Sequence, residues 1–265
     1  MWVDERTAVL SLEGVGFRFP RGRQVFDHVD LTLGTGQCIA LLGANGSGKT
    51  TLLRMLAGLA TPTSGAVRLD GTAVTGSRAD RNRRRTSVQM VLQEPDDQII
   101  GATVRADVSF GPTNLGLDSA EVTVRVEEAM TALGIADLAE RIPHHLSFGQ
   151  RKRVSIAGAI AMRPRILLLD EATSGLDPQA VDDLLVTLAG LVESGTTVVL
   201  ATHDVDVAWS WAREVLVIDE RRVRRGITHE LLVDTELMAA ARLGVPWGAP
   251  VSRALGRLVL RPEDV

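Results

Sequence analysis

Gly43-Ala44-Asn45-Gly46-Ser47-Gly48-Lys49-Thr50 is the stretch on which the meaning of the rest of the chain depends. Its spacing matches G-x-x-x-x-G-K-[ST], a glycine-rich loop whose backbone N–H groups wrap the phosphates of a nucleotide. The flanks agree. Cys38-Ile39-Ala40-Leu41-Leu42 is a short apolar run that reads as a buried strand. Thr51 to Leu59 then carries Leu52, Leu53, Leu56 and Leu59 at helical spacing. Strand, loop and helix in that order aim the positive end of a helix dipole at an anion. Lys49 is expected to reach the β- and γ-phosphates of a nucleotide, and the Thr50 hydroxyl to bind Mg2+. Gly43, Asn45, Gly46, Ser47, Gly48 and Thr51 complete the expected phosphate cradle.

The chain has 265 residues, enough for one large domain or two lobes around a sizeable core. No apolar run approaches the roughly 18 residues that suggest a membrane span. Asp4, Glu5 and Arg6 precede any apolar segment, which does not resemble a signal peptide. The single cysteine, Cys38, excludes an internal disulfide and reads as an inert thiol in a core strand, in keeping with a reducing cytoplasm. A net charge of −4 gives no general pull toward nucleic acid or acidic lipid. Two basic runs, Arg81, Arg83, Arg84 and Arg85, then Arg221, Arg222, Arg224 and Arg225, have no interleaved aromatics and read as solvated surface. His144 and His145 lack metal-ligand spacing, so a structural zinc site is not expected.

Strand-like runs at 8–19, 30–33, 39–42 and 67–69 are separated by turn signals at Arg21-Gly22, Gly34-Thr35-Gly36 and Asp70-Gly71. Their clustering predicts an antiparallel β layer at the front of the domain. From Thr103 to Met162 the pattern turns helical, and from Ile166 strands alternate with helices, which predicts a mostly parallel sheet. The helical stretch reads as an insertion beside that sheet. A helix from Pro178 is well specified: Asp177 can cap it, Pro178 suits its first turn and Gly195 closes it. Its face of Val181, Leu184, Leu185, Leu188, Leu191 and Val192 is core.

Two further segments carry chemistry. Ile166-Leu167-Leu168-Leu169-Asp170-Glu171 is an apolar strand ending in two carboxylates, an odd ending unless something cationic sits at its tip. Asp170 is placed to hold Mg2+ and Glu171 to polarise an attacking water. Leu146-Ser147-Phe148-Gly149-Gln150 is locally a capping box, with Ser147 as N-cap and Gln150 reaching back. A serine hydroxyl, a glycine and free N–H groups at one helix start also make an anion site.

Leu146–Gln150 resembles the signature motif of ATP-binding-cassette ATPases, and the family's other landmarks follow in order. Gln93 resembles the Q-loop glutamine, a family ligand of Mg2+ near the reacting phosphate. Ser174-Gly175-Leu176-Asp177 resembles the D-loop, and His203 resembles the switch histidine. Phe19 sits where the family places an aromatic on adenine. The resemblance runs from about residue 8 to 235. It implies a P-loop NTPase core of the α/β class, with a RecA-like parallel sheet, an N-terminal antiparallel layer and an inserted helical subdomain near 94–162. Residues 236–265 would form a C-terminal extension, read as a dimerisation segment or as packing. The resemblance also implies that each ATP site is shared between two chains. Lys49, Thr50, Asp170, Glu171 and His203 of one subunit hold ATP, while Ser147, Gly149 and Gln150 of a second, identical or paralogous, face it.

Gln93-Glu94-Pro95-Asp96-Asp97-Gln98 and Phe110-Gly111-Pro112-Thr113-Asn114-Leu115-Gly116-Leu117 resemble the energy-coupling-factor importers, especially their cobalt and nickel ATPases. Phe148, where a second glycine is usual, points the same way. Ala172, where proline is usual, is not expected to touch nucleotide. That likeness implies a transmembrane coupling protein whose arginines meet Asp96 and Asp97, a substrate-binding membrane subunit, and a peripheral position on the cytoplasmic face of the membrane. A vitamin importer would use nearly the same ATPase. A soluble cassette protein acting on DNA or the ribosome would carry two cassettes or coiled-coil insertions, and a GTP switch would carry Asn-Lys-x-Asp; neither pattern is present.

Overall fold

The computed structural model describes residues 8–20 and 22–264. Asp4, Glu5 and Arg6, and Arg21 of the first expected turn, lie outside the described residues. Two sheets share one core. β1 (Leu10–Arg18) pairs antiparallel with β2 (Gln24–Leu33), Leu10 opposite Leu33 and Leu12 opposite Leu31. After β3 (Cys38–Leu42) and α1 (Lys49–Ala57), the chain returns as β4 (Ser64–Leu69) on the free side of β1 and turns into β5 (Thr72–Ala73). This antiparallel sheet has the order β2-β1-β4-β5.

The second sheet is laid down by α2 (Arg78–Ser87), β6 (Val88–Val91), α3 (Val104–Asn114), α4 (Ser119–Ala132), α5 (Phe148–Ala161), β7 (Ile166–Asp170), α6 (Pro178–Glu193), β8 (Thr197–Thr202), α7 (Val205–Trp211), β9 (Glu214–Asp219) and β10 (Arg222–Ile227). Its order is β10-β9-β3-β8-β7-β6, parallel except where β10 hairpins back on β9. Strands buried on both faces need continuous apolar sequence. In β7 the alternation then decides which neighbour each side chain meets. Leu167 and Leu169 join the core with α5 and α6, while Ile166 and Leu168 face α1 and the antiparallel sheet.

The expected antiparallel layer exists, but 39–42 does not belong to it. Ile39 and Leu41 bury toward the antiparallel sheet, and Ala40 and Leu42 toward α7, so β3 needs cover on both sides and takes a central parallel position. Leu59 is also corrected. α1 ends at Ala57, Gly58 turns left-handed with φ 81°, and Leu59 stands 67% exposed. Nor is Arg84 solvated: it is 7% exposed beneath the end of α1. In the second basic run Arg221, Arg222 and Arg224 are exposed as expected, while Arg225 is half-buried and pairs with Glu214 at 2.7 Å.

α3, α4 and α5 pack on one another beside the parallel sheet. The chain ends with α8 (Thr228–Leu231), α9 (Thr235–Ala240) and α10 (Gly248–Leu255). Leu237, Met238 and Ala249 bury against α7 and β9, and the Trp209 indole N–H donates to Val259 O at 2.8 Å. The tail therefore docks on the helix that follows His203.

Candidate functional site

The carboxyl ends of β3 and β7 and the residue after β8 converge on a cleft of about 510 Å3. The loop between β3 and α1 curls there because its glycines allow it. Gly48 has φ 116°, and a Cβ on it would stand 2.8 Å from Val25 Cγ1 and 2.9 Å from Phe26 Cζ. Only glycine fits a turn that is both left-handed and pressed on β2.

Lys49 is buried at 7% exposure. Its ammonium donates to Gly43 O at 2.8 Å and lies 3.3 Å from Glu171 Oε1. The other carboxylate oxygen of Glu171 is 3.0 Å from His203 Nδ1. Lysine, glutamate and histidine thus form one continuous chain across the cleft. Thr50 Oγ1 donates to Asp170 Oδ2 at 2.7 Å. Asp170 Oδ1 is buried with no hydrogen-bond partner. Burial pushes the Asp170 carboxyl up, opposed by the Thr50 hydrogen bond. A buried, orphaned carboxylate oxygen beside a hydroxyl is the donor set that a hard divalent cation takes, with its remaining positions left to phosphate and water. Thr50 and Asp170 therefore fit Mg2+. No group of three or more His, Cys, Asp or Glu side chains able to hold a metal occurs among the described residues.

The cleft also takes in Asn45, Gly46, Thr51 and Gln93, and at its rim Phe19. Phe19 is 48% exposed and meets Phe17 edge-on at 5.1 Å between centroids. Gly43 lies buried under the loop. Ser47 faces an adjoining pocket edged by Arg23, Arg221 and Arg242.

Ser147, Gly149, Gln150 and Asp177 are a separate group, and none of them lines the cleft. The capping box forms as the sequence predicts. Ser147 Oγ accepts from Gln150 N at 3.3 Å, and Gln150 Oε1 accepts from Ser147 N at 2.9 Å. Asp177 caps α6 by accepting from Ala180 N at 2.9 Å. Asp96 pairs with Arg151 Nε at 2.8 Å, while Asp97 is exposed.

Sequence reasoning missed two cations. Arg84 and Lys152 are both buried and both bind backbone carbonyls far along the chain. For Lys152 there was a signal: it shares the buried face of α5 with Ile156 and Ala159, at helical spacing. Val25 also lines the cleft without having been singled out, and so does Ser174 of the D-loop-like segment, whose place in the cleft had not been expected.

Known proteins agree with this geometry. The family model described as ABC transporter matches residues 26–174. The chain is 46% identical to a cobalt import ATP-binding protein of Rhodobacter capsulatus, over 97% of this chain and 91% of that protein. It is 38% identical to an energy-coupling factor transporter ATP-binding protein of Methanosphaera stadtmanae, over 91% of this chain and 87% of that protein. Among solved structures it resembles CbiO1 of Clostridium perfringens, part of the ABC transporter complex CbiONQ. The TM-score is 0.79 at 34% identity, covering 94% of this chain and 99% of that one.

Proposed function

The chain belongs to the ABC transporter family of ATPases, and we propose that it is the ATP-hydrolysing subunit of an energy-coupling-factor importer for cobalt or nickel ions. The observation that carries the mechanism is the split of the site: Lys49, Thr50, Gln93, Asp170, Glu171 and His203 share one cleft, and Ser147 and Gly149 stand outside it. One chain therefore presents half of each of two sites. A second copy, or a sister ATPase, would bring its Ser147 and Gly149 over the γ-phosphate held here. ATP would join the two subunits and hydrolysis would release them.

Within the cleft Phe19 would stack on the base, and Gly43 to Thr51 would cradle the phosphates. Thr50, Asp170 and Gln93 would hold Mg2+. When bound, that cation neutralises charge on the phosphate oxygens. Lys49 is engaged by Glu171 in this structure. Phosphate oxygens would draw its ammonium away and release the carboxylate. Glu171 then accepts a proton from the attacking water as oxygen bonds to the γ-phosphorus. The bond to the β–γ bridging oxygen breaks, and ADP and phosphate leave. His203 keeps the Glu171 carboxylate aimed.

We assign residues 1–235 to the ATPase domain, with 94–162 as its helical subdomain, and 236–265 to an extension that would contribute to dimer contacts. No helix among the described residues is long and apolar enough to cross a membrane. Membrane attachment would therefore come through a coupling protein, at the cytoplasmic face, which in turn binds a substrate-binding subunit. Asp97, exposed, and Asp96, shared with Arg151, are the proposed acceptors for the coupling protein's arginines. Ile100 and Phe110, both exposed, line a groove with Gln98, which follows Asp97 in the chain. Asp96→Ala/Asp97→Ala complexes that assembled and transported normally would remove this assignment.

Affinity purification of the tagged chain from gently solubilised native membranes, with mass spectrometry of its partners, tests the whole reading. Recovery of a coupling protein with a cobalt or nickel core subunit is expected. A coupling protein with varied vitamin-binding subunits would change the cargo and keep the mechanism. No membrane partner at all would refute the importer.

A further inference from the structure

Lys152 is 1% exposed on α5, and no carboxylate oxygen lies within ion-pair distance of it among the described residues. A buried ammonium is costly unless its donors are met. Here two backbone carbonyls and an aromatic face meet them. Lys152 Nζ donates to Glu171 O at 2.7 Å and to Ser174 O at 2.8 Å, and lies 5.2 Å from the centroid of the Phe148 ring.

The peptide it grips is strained. Glu171 has φ 50°, a left-handed backbone that a non-glycine residue adopts only under constraint. Both of its peptide groups are tied down. The N–H donates to Ala201 O at 3.0 Å, and the carbonyl takes both Lys152 and the Ser174 N–H, the latter at 3.1 Å. The same helix start locks onto the next turn of the loop. A Cβ on Gly175, where φ is 77°, would lie 2.8 Å from Phe148 Cε1, and one on Gly149 would lie 3.1 Å from Leu176 Cδ2. Phe148, the departure from a second glycine in the signature, thus supplies the ring that covers both Lys152 and Gly175.

We propose that Lys152 is a positioning residue for hydrolysis. It fixes the backbone of Glu171 in its strained conformation and, with Phe148, joins that residue to the helix start bearing Ser147 and Gly149. This rests on the proposed sharing of ATP sites. Glu171 serves the site in its own cleft and Ser147 serves the partner's, so the Lys152 strut makes the two sites of a dimer report to each other through one rigid element.

The test uses the full chain and three readouts: steady-state ATP hydrolysis, the Kd of a fluorescent ATP analogue, and amide exchange of the peptide spanning 171–178. Lys152→Met keeps the length of the side chain and removes its donors. The expected result is a kcat at least tenfold lower, an analogue Kd within twofold of wild type, and exchange across 171–178 at least tenfold faster. A folded Lys152→Met with wild-type kcat, or with unchanged exchange in that peptide, overturns the proposal. So does a fall in kcat matched by an equal loss of affinity, which a merely structural role would give. Should Lys152→Met not fold, Phe148→Leu reads the same strut: a kcat severalfold lower with faster exchange supports it, and wild-type values of both overturn it. Wild-type protein that hydrolyses no ATP would instead refute the proposed function, so the two failures are distinct.

Discussion

Replacing Arg84 by methionine should weaken the fold at the far end of the nucleotide-loop helix. Arg84 is 7% exposed and has no carboxylate partner among the described residues. It donates from Nε to Leu56 O at 3.0 Å, from Nη2 to Leu56 O at 2.8 Å, and from Nη2 to Met55 O. Those carbonyls belong to the last turn of α1, where Met55 O also accepts from Gly58 N at 3.2 Å and where the helix dipole favours a cation. Burial pulls the guanidinium pKa down to about 10, so part of what the hydrogen bonds contribute is offset by desolvation. Hydrogen bonds from a charged donor contribute about 1.5–3 kcal/mol each before that offset, and buried carbonyls left without a partner cost about 1–3 kcal/mol. The net loss for Arg84→Met should be about 3 kcal/mol, a fall in Tm of about 5–10 °C for a chain of this size. Arg84→Lys keeps the charge, loses the fork and should fall in between. Differential scanning calorimetry measures both. The start of α1 is set by Gly48 against β2, so ATP affinity should stay within about twofold. A methionine variant melting within about 2 °C of wild type would show that desolvation cancels the cap and refute the reasoning.

Phe19→Ala should raise the Kd for ATP about tenfold, since stacking on a base is worth about 1–3 kcal/mol; unchanged affinity by fluorescence titration would remove Phe19 from the site. Gly248→Ala should lower stability by about 1–3 kcal/mol through overpacking, because the new Cβ would stand 2.4 Å from the Trp209 indole nitrogen. Calorimetry checks this, and an unchanged Tm would mean the tail is not held where it docks. Burial pushes the Cys38 thiol up from 9.0 to about 11, and its hydrogen to Trp211 O spans 3.3 Å. Its alkylation at neutral pH should be about 100-fold slower than that of an ordinary thiol. Because the folded pKa exceeds the unfolded one, this stabilisation is complete below pH 9.0 and is lost as pH rises through about 11; denaturant titrations on either side of that window measure it.

The parts of the molecule that depend on local chemistry were legible in the sequence. The glycine loop, the Ser147–Gln150 capping box and the Asp177-Pro178 helix start are each specified within a few residues, and each forms. Adjacency in space was less legible. β3 looks like its antiparallel neighbours in composition, and only the second layer on its other face shows that it belongs to the parallel sheet. β6 is four residues long and follows a helix dominated by arginine, so its apolar run carried little signal. Arg84 reaches carbonyls 28 and 29 residues away, and Lys152 reaches 19 and 22. No spacing rule predicts such a partner. What the sequence did offer was the position of each cation on a helix, and for Lys152 that position is on the buried face.

Glu171 links Lys49 and His203 across the cleft. The carboxylate oxygens are 3.3 Å and 3.0 Å from their two neighbours, so the proposed base is held between a cation and a ring. Under the proposed function, phosphate oxygens would compete with Glu171 for Lys49.

Light scattering of Glu171→Gln with saturating MgATP tests the central claim most directly. The substitution removes the proposed general base and leaves Lys49 and Thr50 in place. If each ATP site needs Ser147 and Gly149 of a second copy, the trapped protein should pass from 28.4 kDa to twice that mass on adding MgATP and return on its removal. A protein that binds ATP tightly yet stays at 28.4 kDa would contradict self-association.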